Sequence, residues 1–294
     1  MELTDKDQKL YKEKLIETYD AFNTFCNKHE IRFFAAYGTA IGAVRHGGII
    51  PWDDDIDVFM LEDDYNRFIS LKNEGSNDEY EILDLETSGY YCSFAKFVSK
   101  KNSVWEFRDL PCMLGTYIDV FPLFKISGAR DTIIKPYAKF CSHMNIFRLM
   151  SLKRSAGLIS RLFRKGKIDK VFCYIIKDII NHVIRPIFKF KLKKGFHIEE
   201  NGKYYLTNPF EGWDISYLLY DPEWFNDVVM MPFDGREIPV PAGYDAMLTT
   251  TYGDYMTPPP VEKRVTHHAH YYFNLEKRVS IEEARKELKK NGNE

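Results

Sequence analysis

The chain has 294 residues, a formal net charge of −2, and a composition of 45% hydrophobic and 29% charged residues. These values are typical of globular proteins and exclude collagen-like, disordered and low-complexity chains. No run of about 18 uncharged apolar residues occurs, so we expect no membrane-spanning helix. Residues 1–30 are polar and acidic rather than signal-like, which predicts a cytoplasmic protein.

The cysteines are too few and too far apart in the sequence to form a disulfide framework. Their odd number and the lack of paired zinc-type spacing predict reduced, structural thiols. The five are Cys26, Cys92, Cys112, Cys141 and Cys173.

The first third of the chain alternates helical and strand patterns. Apolar residues at steps of three and four predict a first helix, with Thr4 as its N-cap. A strand over 31–37, a short helix over 40–45 closed by Gly47-Gly48, a strand over 56–60 and a helix over 63–73 follow. Further strands are predicted over 80–85, 92–98 and 117–121. The pattern predicts an α/β (α+β) sheet domain over residues 1–125.

A basic helical region is predicted over residues 126–200. The segment from Arg130 to Gly195 contains about 17 lysines and arginines but only three acids. Apolar residues recur at helical steps, and basic side chains are expected to form the exterior of two or three helices. Such a surface could contact an anionic membrane or a phosphate-bearing acceptor, or it could simply be solvated. No nucleic-acid-reading motif accompanies the charge, so no nucleic acid is expected as a partner.

Mixed structure is predicted to return over residues 201–294. Asp234-Gly235 lies between apolar stretches and predicts a turn. A helix is predicted over 244–252, ended by Gly253, and a last, peripheral helix over 281–290.

Asp55 and Asp57 are the strongest candidates for a metal site. They alternate with Ile56 and Val58, so on a strand both carboxylates would share one face, with Cα atoms roughly 6.5 Å apart. An acidic turn in solvent is the ordinary alternative, but charges running into an apolar strand are costly to bury without a partner. Carboxylates in this arrangement suit Mg²⁺ or Mn²⁺.

Asp119 is flanked by Ile, Val and Phe in a predicted strand. Such an acid needs a cation or a hydrogen-bond donor, so it is either a structural residue or a third carboxylate of the site. In the second case it would bind metal or act as general base for an incoming hydroxyl.

Several further residues are candidates for binding phosphate. Gly38 and Thr39 belong to a turn that opens the helix on which Gly42 lies, and Gly-rich turns of this kind present N–H groups to phosphate. Arg45 and His46 end that helix, where helix capping is the alternative role. Lys96 lies in an apolar strand and faces either the site or solvent. Arg264 and His267 follow Pro258-Pro259-Pro260 and belong to either an active-site lid or a rigid surface loop.

Together these motifs resemble the LicD family. The resemblance rests on Tyr37 to Val58, with Gly-Ala-Val-Arg-His-Gly-Gly and Ile-Pro-Trp-Asp-Asp-Asp-Ile-Asp, on Tyr117 to Pro122, and on Val240 to Asp245 with Tyr252 to Pro260. It implies a nucleotidyltransferase-like fold. In that fold the Gly-Thr turn approaches the donor phosphates, and Asp55, Asp57 and Asp119 hold divalent metal.

The resemblance also implies an activity. Members of the family are similar to enzymes that transfer phosphocholine from CDP-choline to sugars of cell-surface glycans, and fukutin-type relatives resemble ribitol-phosphate transferases. We therefore expect a Mg²⁺-dependent phosphotransferase that uses a CDP-alcohol, phosphocholine being the first choice. The acceptor would be a glycan or lipid-linked saccharide, such as a precursor of lipopolysaccharide, teichoic acid or capsule. The enzyme would act in the cytoplasm, either free or in peripheral contact with the inner face of the membrane through residues 130–195.

Two alternatives stay open at this point. A nucleotidyltransferase would release pyrophosphate from an NTP where the phosphotransferase releases CMP. A non-catalytic module that binds polyanions or membranes would have no need of charged Asp55, Asp57 and Asp119 in apolar strands.

Overall fold

The computed structural model describes residues 4–152, 162–210, 212–264, 266 and 270–290. Its helices are α1 (Asp5–Lys28), α2 (Tyr37–Ile41), α3 (Glu62–Ser70), α4 (Lys72–Gly75), α5 (Arg130–Ser151), α6 (Ile168–Lys193), α7 (Tyr244–Tyr252) and α8 (Ile281–Lys290). A π-turn over Gly42–His46 continues α2.

The strands form one main sheet and two hairpin-sized sheets. They are β1 (Phe34–Ala35), β2 (Asp57–Leu61), β3 (Tyr80–Leu83), β4 (Ala95–Ser99), β5 (Ser103–Trp105), β6 (Tyr117–Ser127), β7 (Tyr204–Thr207), β8 (Val228–Phe233), β9 (Arg236–Pro241) and β10 (Tyr272–Asn274). The main sheet has the order β1-β2-β6-β4-β3, and β7 pairs with the far part of β6. β8 pairs with β9, and β5 pairs with β10.

The central pair of the main sheet, β2 and β6, is parallel, whereas the other pairs are antiparallel. The mixed α/β class expected from the sequence is therefore confirmed. α1 packs against this sheet through a row of buried apolar residues that includes Tyr11, Leu15 and Tyr19. Thr4 caps the helix as predicted, in a reciprocal capping box with Asp7.

Several predicted elements differ from those observed. The strand predicted over 31–37 is only two residues long, because Tyr37 already starts α2. β2 begins at Asp57, so Asp55 precedes the strand rather than lying on it. The end of the α2 and π-turn segment is as expected, since Gly47 adopts φ 66°, a left-handed conformation that glycine accommodates without strain.

The later elements agree closely with the sequence. The Asp234-Gly235 turn joins β8 to β9, α7 ends before Gly253, and α8 has the predicted bounds. α8 is peripheral, but Ala284 and Leu288 are buried in a small cluster around Trp105. The division into segments 1–125, 126–200 and 201–294 stays a prediction.

The predicted basic exterior of the helical region is wrong for α6. Most of its apolar residues are exposed, whereas Lys177 is buried and Arg185 is directed toward α5. Helical spacing identifies two faces but does not say which one packs inward. No helix in the described ranges is both long enough and apolar enough to cross a membrane.

Candidate functional site

Gly38 and Thr39 were expected to form a turn before a helix, but they lie in the first turn of α2, which is bonded directly to the start of β2. The backbone N–H of Asp57 donates to Thr39 Oγ1 at 2.8 Å, and the Ala36 N–H donates to the Asp57 carbonyl at 2.9 Å. Thr39 is buried, so this hydroxyl has little competition from water. The Gly-Thr turn and the acidic strand therefore form one rigid unit, and Thr39 acts as its link.

Three consecutive acids form a close group at the edge of this unit. One carboxylate oxygen from each of Asp53, Asp54 and Asp55 lies within 4.8 Å of the other two. A Cβ at Gly38 would lie 2.5 Å from Asp53 Oδ2, so any larger residue at this position would displace the Asp53 carboxylate. His270 lies beside this group, with Nε2 4.0 Å from Asp54 Oδ2. Carboxylate oxygens at such separations suit a hard divalent cation.

Asp57 and Asp119 are register partners on the parallel strands β2 and β6. Asp119 is in turn the register partner of Lys96 on β4. Residues paired in register point to the same face of a sheet, so the three side chains form a row across three strands. The Asp119 N–H donates to the Ile56 carbonyl at 2.9 Å, which fixes this register.

Lys96 is buried and forms an ion pair with Asp119, its Nζ lying 2.5 Å from Oδ1. The ammonium also lies 3.4 Å from the ring centroid of Tyr117. The hydroxyl of Tyr117 donates to Glu106, a second buried carboxylate. Burial acts to lower the pKa of Lys96, but the charges of Asp119 and Glu106 outweigh it and raise the pKa. Lys96 is therefore held as a cation beside the acids.

Two basic side chains contact Trp52, the residue before the acids, and a third is bonded to one of them. The Arg264 guanidinium lies 4.9 Å from the Trp52 ring centroid, and the His46 ring is 5.9 Å from it. Arg45 donates from Nε to His46 Nε2 at 3.2 Å and from Nη1 to the Tyr255 carbonyl. We call Arg45, His46 and Arg264 the basic cluster.

The basic cluster has the electrostatics of an anion site. Burial, followed by the charge of Arg264, lowers the pKa of Arg45. Burial, Arg45 and Arg264 lower the pKa of His46 in the same way. Cations that lower one another's pKa repel each other, and an anion that binds between them offsets this repulsion.

Of the two remaining predicted residues, Gly42 has a structural role. A Cβ at Gly42 would lie 2.5 Å from the Gly48 carbonyl oxygen, so this glycine permits the tight fold of the turn. Its own carbonyl accepts the Gly48 N–H at 3.3 Å. His267 lies outside the described residues.

The structure adds residues that the sequence did not single out. Lys12 on α1 donates to the carbonyls of Ile50 and Pro51 at 3.1 and 3.0 Å, which fixes the segment leading into the acids. Burial lowers the pKa of Lys12, opposed by the charges of Asp234, Asp53 and Asp54. Tyr117 and Glu106 were missed as well. Lys12 neighbours the apolar row of α1, and no local pattern distinguishes it from a solvated lysine.

Comparison with known proteins agrees with this arrangement. Residues 30–153 match the family model "LicD/FKTN/FKRP, nucleotidyltransferase domain". The chain is 28% identical over 268 residues to the lipopolysaccharide cholinephosphotransferase LicD of Haemophilus influenzae, a transferase, covering 90% of this chain and 96% of that protein. Shorter stretches of 55 and 68 residues are 38% and 35% identical to uncharacterized proteins of Rickettsia typhi and Rickettsia prowazekii.

The matched segment contains the turn, the acids, Lys96 and Asp119, while Arg264 lies beyond it. The longer similarity to the Haemophilus protein extends over most of the chain. The resemblance to the LicD family seen in the sequence is thereby confirmed: the chain is similar to that family's nucleotidyltransferase domain over residues 30–153 and to the Haemophilus protein over most of its length.

Proposed function

We propose that the protein transfers phosphocholine from CDP-choline to a hydroxyl of lipopolysaccharide or a related cell-surface glycan, with Mg²⁺ or Mn²⁺ as cofactor. The observation that carries the proposal is the row of Asp57, Asp119 and Lys96 beside the acids at positions 53–55. The similarity to a lipopolysaccharide cholinephosphotransferase over 90% of the chain supports the choice of substrates.

The donor atoms fit a magnesium-type ion. Carboxylate oxygens from Asp53, Asp54 and Asp55 already lie close together, and Asp57 follows on the strand. These are hard oxygen ligands, with no thiol or imidazole pair among them to favour a softer metal. Asp55 and Asp57 would hold the ion, with Asp119 as a third ligand or as the base. When bound, the ion would neutralise charge on the donor pyrophosphate and on the leaving CMP.

The basic cluster would bind the donor phosphates. Arginine presents paired N–H groups that match two phosphate oxygens, and His46 can add a third donor once protonated. Trp52, which directly precedes the acids in the chain, contacts both Arg264 and His46. Gly38 and Thr39 would contribute the backbone of the turn.

Asp119 would receive the proton of the acceptor hydroxyl. The acceptor oxygen forms a bond to the donor phosphorus as the bond from phosphorus to the CMP oxygen breaks. Lys96 is a positioning residue in this scheme, since it orients the Asp119 carboxylate and keeps it ionised. Its charge also offsets the mutual repulsion of the neighbouring acids.

A nucleotidyltransferase is the second candidate, favoured by the description of the matched domain. The two activities use the same acids and differ in the bond broken. The phosphotransferase would release CMP from a CDP-alcohol, whereas the nucleotidyltransferase would release pyrophosphate from an NTP.

The test is a product assay with Mg²⁺ and a lipopolysaccharide acceptor that lacks phosphocholine. CDP-choline, CDP-ribitol, CDP-glycerol and CTP are supplied separately, and CMP, pyrophosphate and modified acceptor are measured. CMP release from CDP-choline with choline incorporation, blocked by EDTA, is the expected result. Pyrophosphate release from CTP alone would assign the second activity, and turnover with CDP-ribitol or CDP-glycerol alone would replace choline as the transferred alcohol.

A further inference from the structure

Helix α6 directs two of its basic side chains toward the rest of the protein. Arg185 donates from Nε to Ser151 Oγ at 3.0 Å and from Nη2 to the Tyr90 carbonyl at 2.9 Å. Lys177, which is 6% exposed, donates to the Leu152 carbonyl at the end of α5. The side of α6 that contacts the protein is thus held by charged groups with defined partners.

The opposite side of α6 is apolar and exposed. Phe172, Ile179 and Phe190 are 64%, 63% and 62% exposed. Residues of this exposed side follow steps of three, four and seven, which places them within a narrow arc of the helix. We call this row the outer face; it comprises Ile168, Phe172, Ile175, Ile179, Val183 and Phe190.

This orientation is the reverse of that expected for a helix on a protein surface in water. Surface helices bury their apolar stripe and expose their charges. The outer face runs from residue 168 to 190, a length of about 33 Å. A continuous apolar row of this length indicates a contact with another apolar phase.

The charges at the ends of α6 identify that phase. Lys165 and Lys167 precede the outer face, and Lys191, Lys193 and Lys194 follow or end it. The exposed charges along the row itself are fewer and of mixed sign, namely Asp169, Lys170 and Asp178. An apolar row between basic ends is typical of helices that lie in the plane of an anionic membrane.

We propose that the outer face of α6 inserts into the interfacial layer of an anionic membrane, with the basic ends at the lipid headgroups. A second copy of the chain fits less well. Whether two α6 helices met parallel or antiparallel, basic ends would face basic ends, and like charges would oppose the contact. The proposal does not depend on the transferase assignment, because it uses none of the site residues.

Helix α6 is also connected to the candidate site. Arg185 binds the carbonyl of Tyr90, whose hydroxyl donates to the Phe94 carbonyl at 2.9 Å. Phe94 directly precedes β4, the strand of Lys96. A membrane-bound α6 would therefore hold this part of the sheet in a fixed orientation to the lipid surface.

The first test is co-sedimentation of the full chain with vesicles of phosphatidylcholine alone or mixed with phosphatidylglycerol. We expect binding to the anionic vesicles that is weakened but not lost at high salt, because the apolar part of the contact is not screened. The triple variant Phe172→Ser/Ile179→Ser/Phe190→Ser should lower the partition coefficient at least tenfold. The matched control Val228→Ser/Met230→Ser, at side chains of β8 that are each 47% exposed, should bind as the wild type does.

A second measurement separates insertion from surface adsorption. Ile179→Trp should show a blue-shifted emission on adding anionic vesicles, whereas Val229→Trp on β8 should not. Circular dichroism and the Tm of each variant confirm folding. No vesicle binding by the wild type, equal binding by the triple variant, or a dimer that only the triple variant disrupts would each overturn the proposal.

Discussion

Lys96 and Asp119 form a buried ion pair between adjacent antiparallel strands, with side chains only 3% and 7% exposed. Asp57 lies opposite Asp119 on the other neighbouring strand. One lysine thus offsets the charge of the acids that would hold a metal. The pair therefore both joins two strands of the sheet and balances charge at the candidate metal site.

Removal of either partner of this pair should destabilise the fold strongly. Lys96→Met or Asp119→Asn alone leaves a polar group or charge buried without its partner, so each should lower the free energy of unfolding by about 3–5 kcal/mol. The double variant should lose clearly less than the sum of the two. Urea unfolding in the presence of EDTA measures all three.

A surface pair provides the control for this cycle. Lys101 pairs with Glu79 at 3.0 Å with 41% of its side chain exposed, and it also lies over the Tyr80 ring. Lys101→Met should change the free energy of unfolding by less than about 1 kcal/mol. Equal effects of Lys96→Met and Lys101→Met would show that burial gives the inner pair no special role.

Asp57→Asn should abolish turnover while the protein stays folded. The substitution keeps the size of the side chain and the backbone bonds to Thr39 and Ala36 but removes a charge available to a metal. Stabilisation of the protein by Mg²⁺ in thermal unfolding should be lost as well. Asp63→Asn at the exposed start of α3 is the control, and turnover near wild type in Asp57→Asn would contradict the metal assignment.

Thr39→Val should reduce activity, whereas Thr39→Ser should not. The valine variant leaves the Asp57 N–H without its acceptor, which should lower the free energy of unfolding by about 1–3 kcal/mol. It should also lower kcat, because the strand start is no longer fixed to the turn. Steady-state kinetics and urea unfolding of both variants test this, and identical behaviour of the two would refute a role for the hydroxyl.

Binding of the donor should depend on pH through His46. Burial and the two arginines lower its pKa below the ordinary value of 6.5, so the ring is neutral at pH 7. A bound phosphate raises that pKa again, and binding therefore takes up a proton. The Kd for CDP-choline should therefore decrease as the pH falls toward and below 6.5.

A fall in pH has the opposite effect on the stability of the fold, which it lowers. A histidine with a lowered pKa contributes stability above its ordinary pKa, and this contribution is lost as the pH falls through the folded value. The binding prediction is tested separately. Calorimetric titrations with CDP-choline between pH 5.5 and 8 should show tighter binding at the acid end for wild type but a flatter profile for His46→Gln. A profile unchanged by His46→Gln would remove this residue from the phosphate site.

The sequence by itself determined the local elements and the identity of the acids. Period-two alternation placed Asp57 and Asp119 on strands, Thr4 as N-cap placed the start of α1, and Asp-Gly placed the β8–β9 turn. These signals are local, since each depends on residues a few positions apart. The charge of Asp119 among apolar neighbours also predicted that it needs a partner.

Only the tertiary structure decided which residues meet. Strand order and register bring Asp57, Asp119 and Lys96 into one row, although they come from three distant parts of the chain. The same applies to Arg264 beside Trp52. Periodicity gave α6 two faces, but the packing of Arg185 and Lys177 decided that the apolar one points outward. Local patterns fix which side chains share a face, whereas long-range packing fixes what that face contacts.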